Sequence, residues 1–208
     1  MKRIYLVRHG QTKANAEEYV PSKEEPLNEL GLQQAELLAT RVANLDVQKL
    51  VVSDFIRAQQ TIAPIVALKR LEPEIVPAFG EMLEPASIHG VLEAEERVLQ
   101  YRKERNLNVE NNTWQFEDGE SYYSIQMRIN QARAFLEAQE EENILVVAHA
   151  FFIQCFTAST LLQTTLPTKE MLSVATTFRM SNTGISLLTF EDSSWKVVMH
   201  NDHAHFAE

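Results

Sequence analysis

Two histidines and two arginines stand where apolar runs stop. Ile4-Tyr5-Leu6-Val7 ends in Arg8-His9-Gly10. Lys49-Leu50-Val51-Val52 ends in Ser53-Asp54, with Arg57 a turn later, and Ile144-Leu145-Val146-Val147-Ala148 ends in His149. Charge just past the carboxyl end of a buried strand is where open α/β sheets place their ligand crevices. If the three runs are parallel neighbours, their ends bring these four side chains together. A guanidinium is always charged and offers planar, bidentate donors to phosphoryl oxygens, so a pair of them makes a phosphate clamp. A neutral imidazole beside that clamp can attack phosphorus, and flanking positive charge keeps its lone pair free at neutral pH. His9 is the expected nucleophile and Arg8 one jaw of the clamp. His149 is left as a donor to the charge that builds on the equatorial oxygens. Singly, each residue has an ordinary reading: a strand-end histidine is commonly structural, and an arginine on a helix is commonly solvated. Their joint occurrence at three strand ends carries the argument.

The elements that must position them follow from periodicity. Residues 3–7 read as a buried strand, and 11–28 as a polar, turn-rich stretch holding Pro21 and Pro26. Leu30, Leu32, Ala35, Leu38 and Val42 recur at helical spacing after Asn28. Lys49–Ser53 is the next strand, and Asp54 is placed to cap a helix running through Arg57 to about Leu71. Glu74-Ile75-Val76 is a brief third strand. A helix is expected from about Leu92 to Glu104, a loop around Asn108–Thr113, and a long amphipathic helix over Glu120–Gln139. Ile144–Ala148 is the clearest buried strand, followed by an apolar helix through Phe152, Phe156 and Leu161. Gly184–Phe190 and Trp195–His200 read as a hairpin turned at Asp192-Ser193-Ser194. This alternation predicts a three-layer α/β/α fold with a mostly parallel central sheet and an antiparallel edge. The chain, residues 1–208, is expected to form one domain, with residues 81 to about 123 inserted as a cap over the carboxyl end of the sheet.

Composition narrows the function. A chain of 208 residues can bury a sizeable core, and 45% hydrophobic with 23% charged residues is ordinary for a globular protein. The formal net charge of -10 argues against nonspecific nucleic-acid binding, which runs on Lys and Arg neutralising phosphates. A small phosphorylated substrate needs only a local positive pocket. The lone Cys155 excludes an internal disulfide and fits a reducing compartment. No apolar run approaches the ~18 residues of a membrane span, and no signal-peptide pattern precedes the first strand. The cytoplasm is the expected location; a homodimer is left open.

Arg8-His9-Gly10-Gln11-Thr12 with Asn15, Leu30-Gly31-Leu32-Gln33-Gln34-Ala35, and Ser53-Asp54-Phe55-Ile56-Arg57-Ala58-Gln59-Gln60-Thr61 resemble the signature of the histidine phosphatase superfamily, the phosphoglycerate mutase-like proteins. Gly80-Glu81, Val147-Ala148-His149 and Asn182-Thr183-Gly184 continue it over nearly the whole chain, with residues 85–119 poorly covered. The resemblance implies a phosphohistidine on His9. It implies a phosphoryl pocket of Arg8, Arg57 and His149, helped by Asn15, the Gln11 region and the backbone N–H of Ala150, where a glycine is common. Glu81 would protonate the leaving oxygen and then activate water, since a carboxyl near a dianionic phosphate can hold a proton. Glu84 is a rival for that role. Neither metal nor cofactor is implied, because the arginines neutralise charge as Mg²⁺ does elsewhere. The mutases continue with an aromatic-x-Gly segment after the asparagine and an Arg-Tyr-Gly stretch after the acid. This chain has Ala16-Glu17-Glu18-Tyr19-Val20-Pro21-Ser22 and Met82-Leu83-Glu84-Pro85-Ala86-Ser87 instead. Hydrolysis of a small phosphomonoester is therefore the expected activity. A mutase-type phosphotransferase and a non-catalytic phospho-ligand-binding module are the alternatives.

Other signals are weaker. His200, His203 and His205 suggest a metal site, but a polar C-terminal strand with His203 and His205 on one face is the simpler expectation. Trp114, Phe116, Tyr122 and Tyr123 fit either a substrate wall or the insertion's own small core.

Overall fold

The computed structural model describes residues 1–206. Six strands form one sheet in the order β3-β2-β4-β1-β5-β6. They are β1 (Lys2–Arg8), β2 (Lys49–Val52), β3 (Pro73–Ile75), β4 (Asn143–Ala148), β5 (Ile185–Glu191) and β6 (Ser194–Asp202). The first four run parallel, β5 returns antiparallel along β1, and β6 pairs antiparallel with β5. The helices are α1 (Lys13–Glu17), α2 (Glu29–Val42), α3 (Ile56–Lys69), α4 (Glu96–Leu107), α5 (Tyr122–Glu137), α6 (Ala150–Leu161) and α7 (Lys169–Thr177). Among the described residues no helix is long and apolar enough to cross a membrane.

The period-2 alternation of the strands divides the core in two. Ile4, Leu6, Val51, Ile144, Val146 and Ala148 pack against α5, α6 and α7. Val7, Leu50, Val52, Leu145 and Val147 face the other way, onto α2 and α3. Helices therefore cover both faces, and the expected three-layer α/β fold is present. Residues 88–116 add a small third cluster of Ile88, Val91, Val98 and Tyr101, closed by Val20 and flanked by Trp114 and Phe116. Those two aromatics belong to that cluster, whereas Tyr122 lines the pocket described below.

Several expectations need correction. The polar stretch after β1 contains α1, held by a reciprocal Thr12–Asn15 capping box. Asp54 does not cap α3; Phe55 occupies that position without a side-chain cap, and the Asp54 carboxylate accepts from Lys23 Nζ instead. The helix expected from Leu92 starts at Glu96 and runs on to Leu107, and α7 went unread. Strand β6 ends at Asp202, so His203 lies beyond it and His205 sits in a 3₁₀ turn, not on a shared strand face. The hairpin turns on Asp192 and Ser193, both in the left-handed region (φ 50° and 58°) that a tight primed turn needs.

Candidate active site

The three strand ends finish level. Arg8 pairs with Ala148 across β1–β4, and Val52 pairs with Val147 across β2–β4. The ladder runs one residue further on each side: His9 N donates to Ala148 O (3.0 Å) and Ser53 N to Val147 O (3.2 Å). His149, at the end of the middle strand, therefore stands between Ser53 and His9. Its Nε2 meets Ser53 Oγ at 2.7 Å, and its ring centroid is 5.1 Å from that of His9. Arg57 reaches the same spot from the first turn of α3, Nε donating to His9 Nε2 at 3.3 Å.

The tautomer of His9 follows from these partners. Its Nδ1 lies 2.7 Å from the carbonyl of Gly10, a contact that requires N–H on Nδ1. Nε2 is then the lone-pair nitrogen, consistent with its accepting from Arg57. His9 and His149 are 4% and 0% exposed, and both are held well below the ordinary imidazole range. For each, burial is the first cause and the Arg57 charge the second. Burial thus outweighs the flanking positive charge in holding both imidazoles neutral. Arg57 is itself lowered, to about 10, chiefly by burial, so it remains a cation at neutral pH. It is fixed by Ser22 O (2.9 Å) and by the Phe55 ring, 4.7 Å from its guanidinium carbon. Arg8 donates through Nη1 to Met180 O. Arg8 Nε and His149 Nδ1 are buried and meet no protein partner among the described residues. Such atoms are costly unless a ligand satisfies them.

Glu81 reaches this group from the loop after β3. Its Oε1 accepts from Met82 N (3.0 Å) and Phe152 N (3.1 Å), and Oε2 from Phe151 N (3.1 Å). The carboxylate thus sits on the N-terminus of α6, where backbone donors and the helix dipole favour an anion. Arg128 of α5 holds the loop that carries it, donating to the carbonyls of Ala78 (3.1 Å), Gly80 (2.6 Å) and Glu81 (3.1 Å) and pairing with Glu120 (2.6 Å). Glu84 lies on the same cavity but is taken by Arg105, whose Nη1 is 3.1 and 3.0 Å from its two oxygens. Ala150 opens α6, at a position whose N–H has no intrahelical acceptor.

Asn15 also lines the cavity, its Oδ1 accepting from Thr12 N and Asn182 Nδ2, both at 3.3 Å. Gln11 is not brought to it: its N donates to Gln34 Oε1 (2.8 Å) and its own Oε1 accepts from Asn28 (2.9 Å). Sequence reasoning missed Arg128, which holds the Glu81 loop, Arg105, which pairs with Glu84, and Asn182, which donates to His9 O at 3.0 Å. Of these only Asn182 had a signal, in the Asn182-Thr183-Gly184 match. The cavity holds about 790 Å³, room for a drug-sized molecule. Met82, Val109 and Tyr122 line it on one side, and Leu172, Ser173 and Thr176 of α7 line another part. Among the described residues no three His, Cys, Asp or Glu side chains are grouped to hold a metal. His200 is engaged with Ser186 Oγ (3.3 Å) and Arg179 O (3.2 Å), and His205 with Thr183 Oγ1 (3.0 Å).

A mostly parallel sheet, covered on both faces and carrying a His–Arg cluster at its carboxyl edge, is the architecture of the phosphoglycerate mutase-like class of α/β proteins. Residues 4–203 match the sequence profile of the histidine phosphatase superfamily (branch 1), and the chain belongs to that family. The "Probable phosphoglycerate mutase GpmB" of Yersinia pestis is 30% identical over 201 residues, spanning 94% of this chain and 88% of that protein. Among solved structures, Bacillus stearothermophilus YhfR superimposes with a TM-score of 0.83 at 21% identity, over 99% of each chain. The alpha-ribazole phosphatase of Shigella flexneri gives 0.75 at 24% identity, over 96% of each. At those identities the two structures speak for the fold.

Proposed function

We propose that the protein is a metal-independent phosphomonoesterase that acts on a small phosphorylated substrate through a phosphohistidine on His9. The observation that carries this reading is the tautomer: Nδ1–H is spent on Gly10 O, which leaves the Nε2 lone pair beside Arg57. Nε2 attacks phosphorus in line as the P–O bond to the leaving group breaks, and Glu81 delivers a proton to the departing oxygen. Water then attacks phosphorus, Glu81 takes its proton, and the P–N bond breaks to release phosphate and restore His9. Arg8, Arg57 and the Nδ1 side of His149 bind the phosphoryl oxygens, with Asn15 and the Ala150 N–H as further donors. The two guanidiniums supply the charge neutralisation that Mg²⁺ gives in other phosphoryl transfers. Gln11 contributes by holding the loop and not by contact.

Residues 81–123 act as the cap that chooses the substrate, within one domain spanning 1–208. The lone, fully buried Cys155 supports a cytoplasmic location. His9→Ala should lower turnover of phenyl phosphate by roughly a thousandfold or more, and EDTA should leave the wild-type rate unaltered. Unchanged turnover in the variant overturns the nucleophile; a clear loss with chelator overturns metal independence. The likeness to the Yersinia protein favours a mutase-type phosphotransferase as a second reading. Interconversion of phosphoglycerates faster than phosphate release would select it.

A further inference from the structure

Beyond the phosphoryl clamp, the arginines and Lys23 that line the cavity are already matched with acids. Arg105, 8% exposed, lies between the rings of Tyr101 and Tyr122, 5.0 and 5.1 Å from its guanidinium carbon. Its Nη1 serves both Glu84 oxygens and also Tyr101 OH and Met82 Sδ, each at 3.2 Å. Its Nε is buried and meets no protein partner among the described residues. Nearer the surface, Arg102 pairs with Glu93 at 3.3 Å, and Lys23 pairs with Asp54. Lys169 is exposed at the start of α7, where solvent and salt screen it. Between these pairs the wall carries an apolar part, Val20, Met82, Val109, Tyr122, Phe151 and Leu172, beside uncharged polar groups such as Asn106, Gln154 and Ser173.

We propose that Glu84 is a specificity-determining residue. By neutralising Arg105 it makes the distal pocket one for phosphomonoesters whose remaining part is uncharged and partly apolar, and it turns away those carrying a second anionic group. This rests on the phosphomonoesterase reading above. A pocket that must grip a second anion needs an uncompensated cation, and here the charge of the buried Arg105 is balanced by Glu84 at 3.0 Å. A substrate carboxylate would instead meet Glu84, a repulsive element of the kind that builds specificity against a competitor.

The test uses a matched pair of probes, phenyl phosphate and 4-carboxyphenyl phosphate, which differ by one carboxylate. The wild-type protein should favour phenyl phosphate in kcat/KM by about tenfold or more. Glu84→Gln leaves Arg105 unbalanced, and the ratio should move toward the carboxylated probe by about tenfold, carried by KM. Adding Arg105→Met to that variant should cancel the shift. Each ratio is taken within one preparation, so a smaller folded fraction drops out, and the wild-type ratio stands whether or not the variant folds. Equal use of both probes by the wild type overturns the proposal, as does an unchanged ratio in Glu84→Gln. No turnover of either probe overturns the phosphomonoesterase reading itself, a result distinct from turnover without preference.

Discussion

Glu81 and Glu84 are three residues apart, and spacing alone could not separate them. Their partners do so. Glu84 is spent on Arg105, while Glu81 is held only by backbone N–H groups and is free to exchange them for a substrate. Glu81→Gln should cut turnover by about a hundredfold or more while leaving inorganic phosphate affinity nearly intact, as read by isothermal titration. Loss of the helix-terminal charge should also cost about 0.5–1 kcal/mol of stability. Turnover preserved in that variant removes Glu81 from the chemistry. Arg8, His9, Arg57 and His149 were legible because each follows a recognisable strand, so the fold's own grammar delivers them to one place. Arg128 was not, and Asn182 stood in a family-like tripeptide that named no role for it. They act on carbonyls 47 and 173 residues away along the chain, and spacing does not reveal such contacts.

The elements meet at close backbone approaches that sequence periodicity does not register. Gly31, in the first turn of α2, lies so near the loop after β1 that a Cβ there would fall 2.0 Å from Gln11 O; on Gly10 it would fall 2.6 Å from Gly31 O. The two glycines let α2 press the loop into the shape that aims His9, and Asn28 fixes the contact by capping α2 through Gly31 N at 2.8 Å. Gly31→Ala should therefore cost about 1–3 kcal/mol, measured as a lower urea midpoint with an unchanged m-value, and should lower kcat as the loop shifts. A variant with wild-type midpoint and kcat would sink this account. The helix α2 itself was plain from its apolar stripe. Helix α1 was hidden, since five residues hold too little periodicity to read. Asp54 misled for a related reason: its type suits a cap, yet a lysine 31 residues earlier claims it.

At the scale of the whole molecule, the two buried imidazoles tie stability to pH. In the unfolded chain each titrates near 6.5; folded, each is held well below that by burial and by Arg57. The unfolded state therefore binds more protons once pH falls under about 6.5. The stabilisation is complete above that value and drains away as pH drops toward the folded pKa values. For two groups the slope reaches at most about 3 kcal/mol per pH unit. Urea unfolding should give a flat stability above pH 7 and a steep fall between 6.5 and 5.5. A flat profile across that interval means the histidines take up protons while folded. The same burial makes the site hard to disturb piecemeal, because both cores end at it: Ala148 belongs to one and Val147 to the other.

The sheet order carries a consequence for how the chain is made. Strand β1 is synthesised first, yet both of its neighbours, β4 (Asn143–Ala148) and β5 (Ile185–Glu191), come from the last third of the chain. At about 5–20 residues per second, the first strand waits roughly 7–30 s on the ribosome for its pairing edges. During that time β1 has neither neighbouring strand, and the α6 and α7 part of the surface that covers Ile4 and Leu6 has not been made. Loop closure over that separation is slow for the same entropic reason. The nascent protein is thus most open to aggregation and chaperone capture before residue 143 emerges, and the arginine and histidine closing β1 serve as polar gatekeepers of that exposed segment.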